Sequence, residues 1–86
     1  MSNEVFKALA DPHRRRILQL LKKRSMSVTD IQKHFAFTGA TLSHHLDVLK
    51  RADLVTTERR GQFIHYALNT SVIEEVLSAF YSLFSC

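Results

Sequence analysis

Residues 27–51, SVTDIQKHFAFTGATLSHHLDVLKR, decide the fold, because their pattern predicts two short helices joined by a brief turn. Ser27 and Asp30 have the spacing of a capping box, which starts a helix. The apolar residues of this first helix are spaced for one inward face, at Val28, Ile31 and Phe35. After a turn at residues 36–37, Thr38 can cap a second helix that runs to the end of the stretch.

The second helix of this pair separates apolar residues from small polar ones. Leu42, Leu46 and Leu49 lie four and three positions apart, which is the spacing of a buried stripe. The outward face and its flanks carry Ala40, Thr41, Ser43, His44, Asp47 and Arg51. Small side chains let a helix enter the DNA major groove, where hydroxyl and imidazole groups reach base edges or phosphates. The pattern predicts a helix-turn-helix, although a three-helix bundle with an ordinary surface helix shares it.

A two-stranded hairpin is predicted after the helix pair. Residues 54–58 and 63–68 are rich in β-branched and aromatic residues, and Gly61 lies between them. Arg59 and Arg60 are expected in the connection, where a basic wing reaches the DNA backbone or the minor groove. Keeping the edge strands soluble is the alternative role for these arginines. The predicted DNA contacts are Thr38, Ala40, Thr41, Ser43, His44, Arg59, Arg60 and Gln62.

Two further helices are predicted ahead of the pair. Residues 3–10 form the first, and Asp11 and Pro12 open the second, since aspartate caps helices and proline is tolerated at the first helical position. The apolar stripe of the second helix is Ile17, Leu18, Leu20 and Leu21. Residues 13–16, His-Arg-Arg-Arg, lie in its first turn, where positive charge opposes the helix dipole. This placement indicates either a functional role or three solvated arginines.

A last helix is predicted from Ser71, which has the capping-box spacing with Glu74. Its large apolar residues spread beyond one stripe, so a domain this small cannot cover them all. Pairing of two copies would remove them from water and predicts a twofold homodimer, with one self-sufficient core as the alternative. The predicted interface is Val5, Phe6, Leu9, Val76, Leu77, Phe80, Tyr81 and Phe84.

The order of the elements predicts one domain over residues 1–86, mainly α with a small β-hairpin, in the winged helix-turn-helix architecture. The formal charge is +4 and the sequence pI is about 9.6. All twelve basic residues precede residue 61, whereas the last twenty residues carry two acids and no base. A basic body with an apolar tail indicates a polyanion partner for the body and a protein partner for the tail.

Composition argues against several other classes of protein. One cysteine excludes a disulfide scaffold and fits a reducing, cytoplasmic setting. No apolar run approaches the roughly 20 residues that span a bilayer, so no membrane insertion is expected, and the acidic start is unlike a signal peptide. The sequence has no nucleophile–base arrangement, paired carboxylates or phosphate-binding loop. We therefore expect no enzymatic activity and no cofactor.

The five histidines do not predict a metal site. His44 and His45 are adjacent, so they point about 100° apart on a helix and cannot easily share one ion. His44 is expected to contact DNA, whereas His45 leans toward the edge of the core. The other three histidines lack carboxylate partners at ligand spacing and are His13, His34 and His65.

Three stretches resemble the ArsR-type winged helix-turn-helix repressors, namely residues 6–18 (FKALADPHRRRIL), 41–49 (TLSHHLDVL) and 60–68 (RGQFIHYAL). The likeness extends over about residues 5–70, and the third stretch is similar to the autorepressor branch of the family. The resemblance implies a dimeric bacterial transcriptional repressor that binds an inverted-repeat operator. It also implies that Ser43 and His44 lie in the recognition helix and that residues 59–62 form the wing.

The residues that bind effectors elsewhere in this family are missing. Metal-sensing members carry Cys-x-Cys at the start of the third helix, where this chain has Ser27 and Thr29, which are not soft-metal ligands. Other members bind zinc on the last helix, where this chain has acids but no histidine. Members that sense thiol oxidation need two cysteines, and this chain has only Cys86. The effector is therefore unknown.

Ala36 is a further departure, because a glycine commonly makes the turn there. If this position is left-handed, alanine is expected to cost about 1 kcal/mol.

A second function class stays open, a winged-helix module that dimerises or docks a protein and binds DNA weakly or never. Phe80, Tyr81 and Phe84 would supply its apolar surface. Asp47 and Asp53 lie near the presumed DNA face and favour this reading, because acids repel phosphate. A metal sensor is a weaker third option.

Overall fold

The computed structural model describes residues 3–85, which form five helices and three strands. In chain order they are α1 (Asn3–Leu9), α2 (Pro12–Lys23), β1 (Met26–Ser27), α3 (Val28–Gln32), α4 (Gly39–Arg51), β2 (Val55–Arg60), β3 (Phe63–Leu68) and α5 (Thr70–Phe84). The sheet is antiparallel in the order β1-β3-β2. The predicted class, mainly α with a small hairpin, is confirmed.

The core is one cluster into which the three central helices and the sheet direct their apolar faces. Leu42, Leu46 and Leu49 are each at most 2% exposed, which confirms the predicted stripe of α4. The other buried apolar residues come from every helix and strand and from the α4–β2 connection, and they are Val5, Ala8, Ile17, Leu20, Leu21, Met26, Ile31, Val48, Ala52, Leu54, Val55, Tyr66 and Val76. Burial against this cluster orients α4, so its opposite face is left to solvent.

The wing is longer than the sequence predicts. β2 pairs with β3 from Val55↔Leu68 to Arg60↔Phe63, so Arg59 and Arg60 lie in the strand and not in the connection. Only Gly61 and Gln62 connect the strands, and Gly61 has φ of 62°. A two-residue turn with positive φ at its first central position matches the twist of paired strands, so pairing continues through both arginines.

The strand β1 and the start of α5 also differ from expectation. Met26 and Ser27 pair with Tyr66 and His65, adding a short third strand that the capping signal at Ser27 obscured. α5 begins at Thr70, and its cap is Asn69, whose Oδ1 accepts the N–H of Val72 at 3.5 Å. The predicted cap at Ser71 is therefore wrong, because an asparagine two residues earlier takes that role.

The chain turns out of α4 at Asp53, a non-glycine residue with φ of 58°. The N–H of Leu54 donates to the carbonyl of Leu49 at 3.1 Å, and that of Asp53 to Lys50 at 3.0 Å, which satisfies the last carbonyls of the helix. Ala36 is not left-handed, since positive φ in residues 3–85 occurs only at Asp53 and Gly61. The strain expected at Ala36 is therefore absent.

Candidate nucleic-acid interface

The outward face of α4 is exposed, small and polar. Its exposed residues in the first half are Gly39, Ala40, Thr41, Ser43 and His44, preceded by the exposed Thr38. Thr38 Oγ1 accepts the N–H of Thr41 at 3.3 Å, and its hydroxyl lies 3.2 Å from Thr41 Oγ1. The helix N-terminus therefore has a fixed start, while the first helical N–H groups remain available to a phosphate or a base edge.

The wing presents Arg59, Arg60 and Gln62, all exposed. Arg60 Nε donates to Glu58 Oε1 at 3.1 Å, and Arg59 Nε donates to the carbonyl of Gly61 at 3.2 Å. The carboxylate of Glu58 offsets part of the positive charge of Arg60. Arg59 donates to an uncharged carbonyl, and no ion pair within residues 3–85 offsets its charge.

The basic run at the start of α2 has a structural explanation at Arg14. Its guanidinium is buried, and Nε donates to the carbonyl of Ala8 at 2.9 Å while Nη2 donates to that of Lys7 at 2.9 Å. Its Nη1 lies 3.2 Å from His45 Nδ1. The interpretation of this run as solvated arginines is wrong for Arg14, because its buried guanidinium bonds the C-terminal carbonyls of α1.

The neighbouring basic residues of that run are exposed. Arg15 Nη1 donates to the carbonyl of Leu9 at 2.8 Å, and Arg16 lies on the surface of α2. Asp11 caps the helix, accepting the N–H groups of His13 at 2.7 Å and Arg14 at 3.2 Å. Burial alone raises the pKa of Asp11, but these N–H bonds and the Arg14 charge outweigh it and lower the pKa. The ionised Asp11 carboxylate compensates the charge placed against the helix dipole.

His45 lies behind the outward face of α4 and is 6% exposed, so it does not form part of that exposed face. Burial lowers its pKa, with the positive charge of Arg14 and the neighbouring His13 and His44 acting in the same direction and Asp11 opposing them. His45 is therefore neutral near pH 7, which lets Nδ1 accept from Arg14. His44, one residue earlier, is exposed as predicted.

An aromatic cluster fixes the turn between α3 and α4. Phe35 and Phe37 are stacked with ring centroids 4.7 Å apart, and the His13 ring meets Phe37 edge-on at 5.1 Å. The His45 ring lies 5.4 Å from Phe37. Gln32 Nε2 donates to the Phe37 carbonyl at 2.7 Å. Sequence reasoning missed this cluster, because the Phe-x-Phe spacing on its own points to no partner across the fold.

The predicted dimer residues fall into three groups by exposure. Val5 and Val76 are buried in the core of the chain itself, so they do not offer open surface to a second copy and that part of the expectation is corrected. Phe6, Leu77, Tyr81 and Phe84 are exposed, the last by 85%, and Leu83 is a further exposed residue that the prediction left out. Leu9 and Phe80 are half-buried, and the rings of Phe80 and Phe6 meet edge-on at 5.8 Å.

The expectations about a metal site and a membrane span can each be compared with the described residues. Residues 3–85 hold no group of three or more histidine, cysteine or acidic side chains arranged to hold a metal ion. Among the described residues, no helix combines the length and apolarity needed to cross a membrane. Cys86, the one thiol, lies outside the described residues.

The winged helix-turn-helix class of DNA-binding regulators is defined by a helix-turn-helix whose second helix is exposed on one face and is followed by a β-hairpin, here one that carries arginines. A family model described as a helix-turn-helix domain matches residues 9–58. The chain is 47% identical over 76 residues to the transcriptional repressor SdpR of Bacillus subtilis, covering 88% of this chain and 84% of that protein. It is 36% identical over 73 residues to an arsenical resistance operon repressor of Staphylococcus aureus, covering 85% and 70%.

A solved structure gives the same result over the whole chain. The crystal structure of a possible transcriptional regulator for arsenical resistance superimposes with a TM-score of 0.85 at 30% identity, covering 100% of this chain and 88% of the other. The chain belongs to the ArsR-type winged helix-turn-helix repressor family. The 47% identity to SdpR agrees with the resemblance of residues 60–68 to the autorepressor branch of the family.

Proposed function

We propose that this chain is a transcriptional repressor that binds an inverted-repeat operator as a homodimer, in the cytoplasm and without catalytic activity or a cofactor. The observation that carries the proposal is the exposed, small polar face of α4 beside the exposed arginines of the wing. In each copy, Thr38, Thr41, Ser43 and His44 would contact base edges or phosphates. Arg59, Arg60 and Gln62 would contact the neighbouring backbone or minor groove.

A second copy is the partner that the α5 surface supports. Along α5, Leu77, Tyr81 and Phe84 recur every four and three residues, beside the stripe that packs on the core. Phe6 of α1 extends this surface through its contact with Phe80. A twofold pair joined there would place two α4 helices in successive major grooves, about 34 Å apart. The pair would also double the net charge of +4 that attracts phosphate.

Duplex DNA titrations over a range of salt, with and without random competitor, test the proposal. We expect a sequence selected from random DNA to stay bound in the presence of random competitor. The logarithm of its binding constant should fall linearly with the logarithm of the salt concentration. The alternative is a winged-helix module that docks a protein, which exposed Asp47 and the Glu58–Arg60 ion pair favour. If random competitor displaces every tested duplex at physiological salt, whatever its sequence, the result would support that alternative.

Arg60→Ala tests the role of the wing. We expect weaker binding to operator and random duplex alike, and a salt slope smaller by about one ion, because a phosphate contact carries no sequence information. Arg60→Lys retains the charge and is the matched control, which should keep the wild-type slope. A slope that Arg60→Ala leaves unchanged would remove this residue from phosphate contact.

His44→Ala tests base reading by α4. We expect the ratio of operator affinity to random-DNA affinity to fall by about 5- to 150-fold, since a specific base contact contributes roughly 1–3 kcal/mol of discrimination. His34→Ala, which removes an exposed histidine outside α4, is the control and should preserve the ratio. An unaltered ratio in His44→Ala would exclude His44 from base reading.

A further inference from the structure

The buried guanidinium of Arg14 joins three parts of the fold. It donates to two carbonyls at the end of α1, those of Lys7 and Ala8, at 2.9 Å each. It is part of α2, and its Nη1 approaches the Asp11 cap to 4.0 Å. The same Nη1 lies 3.2 Å from Nδ1 of His45 on α4. One planar side chain therefore fixes α1, which carries Phe6, against the back of the helix that carries His44.

We propose that Arg14 is a positioning residue, which holds the DNA-reading helix α4 in place against α1 through a neutral His45. The proposal rests on the proposed function, since α4 must read operator bases and α1 must lie at the dimer interface. The distance between the two α4 helices of a dimer is then set in part by this contact. Neither Arg14 nor His45 touches DNA, because both are buried behind the outward face of α4.

The contact depends on the protonation state of His45. Arginine has only donors, so Nδ1 of His45 must be an acceptor, with the ring proton on Nε2. A second proton on the ring would set two cations 3.2 Å apart in a buried site. The aromatic rings of Phe37 and His13, centred 5.4 Å and 5.8 Å from that of His45, leave little room for the ring to turn away.

The charged and titratable groups around His45 come from two elements. From α2 and its cap these are Asp11, His13 and Arg14, and from α4 it is His44. Asp11 alone favours the imidazolium, whereas the other three oppose it, and burial adds to their effect. Since the pKa of His45 is lowered in the fold, its contribution to stability is present above its unfolded pKa and is lost as pH falls through the folded one.

The expected effect of acid on DNA binding is opposite to that of simple charge. Added positive charge on the protein surface strengthens attraction to phosphate for every sequence. Protonation of His45 instead displaces α4 from Arg14, which harms the reading of base edges. In a His44→Ala background, which removes the histidine proposed to read a base, the ratio of operator affinity to random-DNA affinity separates the two effects, because the phosphate attraction common to both sequences cancels.

The test compares that ratio at pH 7.5 and at an acidic pH where ring ¹⁵N shifts show His45 protonated, in His44→Ala protein and in the same protein with His45→Asn or His13→Asn added. In His45→Asn, the amide oxygen of the new side chain can accept from Arg14 in place of Nδ1, but the amide does not titrate in this range. We expect the ratios of the His44→Ala protein and of its His13→Asn variant to fall at least fivefold once His45 is protonated, and the ratio of its His45→Asn variant to change by less than twofold. A ratio that stays constant although His45 is protonated, or an equal fall in the His45→Asn variant, would overturn the proposal.

Two further measurements keep the proposal testable on its own. Histidine ring ¹⁵N shifts of the DNA-free protein should show His45 protonated on Nε2 alone at pH 7.5, and a proton on Nδ1 at that pH would contradict the contact.

Arg14→Lys keeps a charge but cannot supply all three hydrogen bonds. We expect its ratio of operator affinity to random-DNA affinity to fall about tenfold at pH 7.5 with the helical circular dichroism retained. An unchanged ratio in this folded variant would overturn the positioning role. A wild type with no operator preference at pH 7.5 would instead refute the proposed function.

Discussion

Tyr81→Glu is expected to separate the dimer and to weaken operator binding by about 10²–10⁴-fold, the factor that two linked binding modules gain over one. Tyr81 is 74% exposed in the single chain, so the substitution removes little of the chain's own core. In a twofold interface, however, the glutamate would be buried near its own copy or among apolar side chains, and a buried unpaired charge is costly. Sedimentation velocity and operator titration measure the two consequences.

Ser82→Glu is the matched control for this change. It adds the same charge one residue further along α5, but on the polar side that carries Glu74, Glu75, Ser78 and Ser85. This variant should remain dimeric and bind the operator within a few-fold of wild type. A Tyr81→Glu protein that stays dimeric would show that the interface lies elsewhere, whereas a monomer that binds with full affinity would show that pairing is not needed.

Leu49→Ala is expected to lower the free energy of unfolding by about 2–5 kcal/mol, which is a large part of the stability of a small domain. The Leu49 side chain is fully buried on the inner face of α4, and its truncation removes apolar contacts and leaves a cavity. Urea unfolding at a fixed protomer concentration measures the loss, since association contributes to apparent stability.

Two variants calibrate this prediction. Leu49→Met keeps nearly the same volume and should cost less than about 1.5 kcal/mol. Gln19→Ala, at an exposed position of α2, should stay within about 0.5 kcal/mol of wild type. A Leu49→Ala loss no larger than that of Gln19→Ala would contradict the placement of Leu49 in the core.

The elements that the sequence predicts best are those specified by local signals. The Leu42, Leu46 and Leu49 stripe and the caps at Asp11 and Thr38 each depend on residues within one or two turns, and the structure confirms them. The α4 face could be predicted for the same reason, because a helix with one buried stripe must expose the residues opposite it.

The features that could not be predicted depend on contacts between distant residues. The Arg14 and His45 side chains are 31 residues apart, and a basic run in a first turn gives no sign that one arginine is buried. The two-residue strand β1 exists only because β3 offers an open edge to it. The burial of Val5 and Val76 could not be predicted without knowing how α1 and α5 pack on the core, since periodicity alone does not separate a core stripe from an interface stripe.

The mass of the protein–DNA complex tests whether two chains bind one inverted-repeat operator. A duplex with one selected inverted repeat would be titrated with wild-type protein and the complex sized by sedimentation equilibrium, beside a duplex with one half of the repeat replaced. We expect two chains on the intact repeat and a large loss of affinity on the altered one. One chain per duplex, or equal affinity for both duplexes, would contradict operator binding by a homodimer.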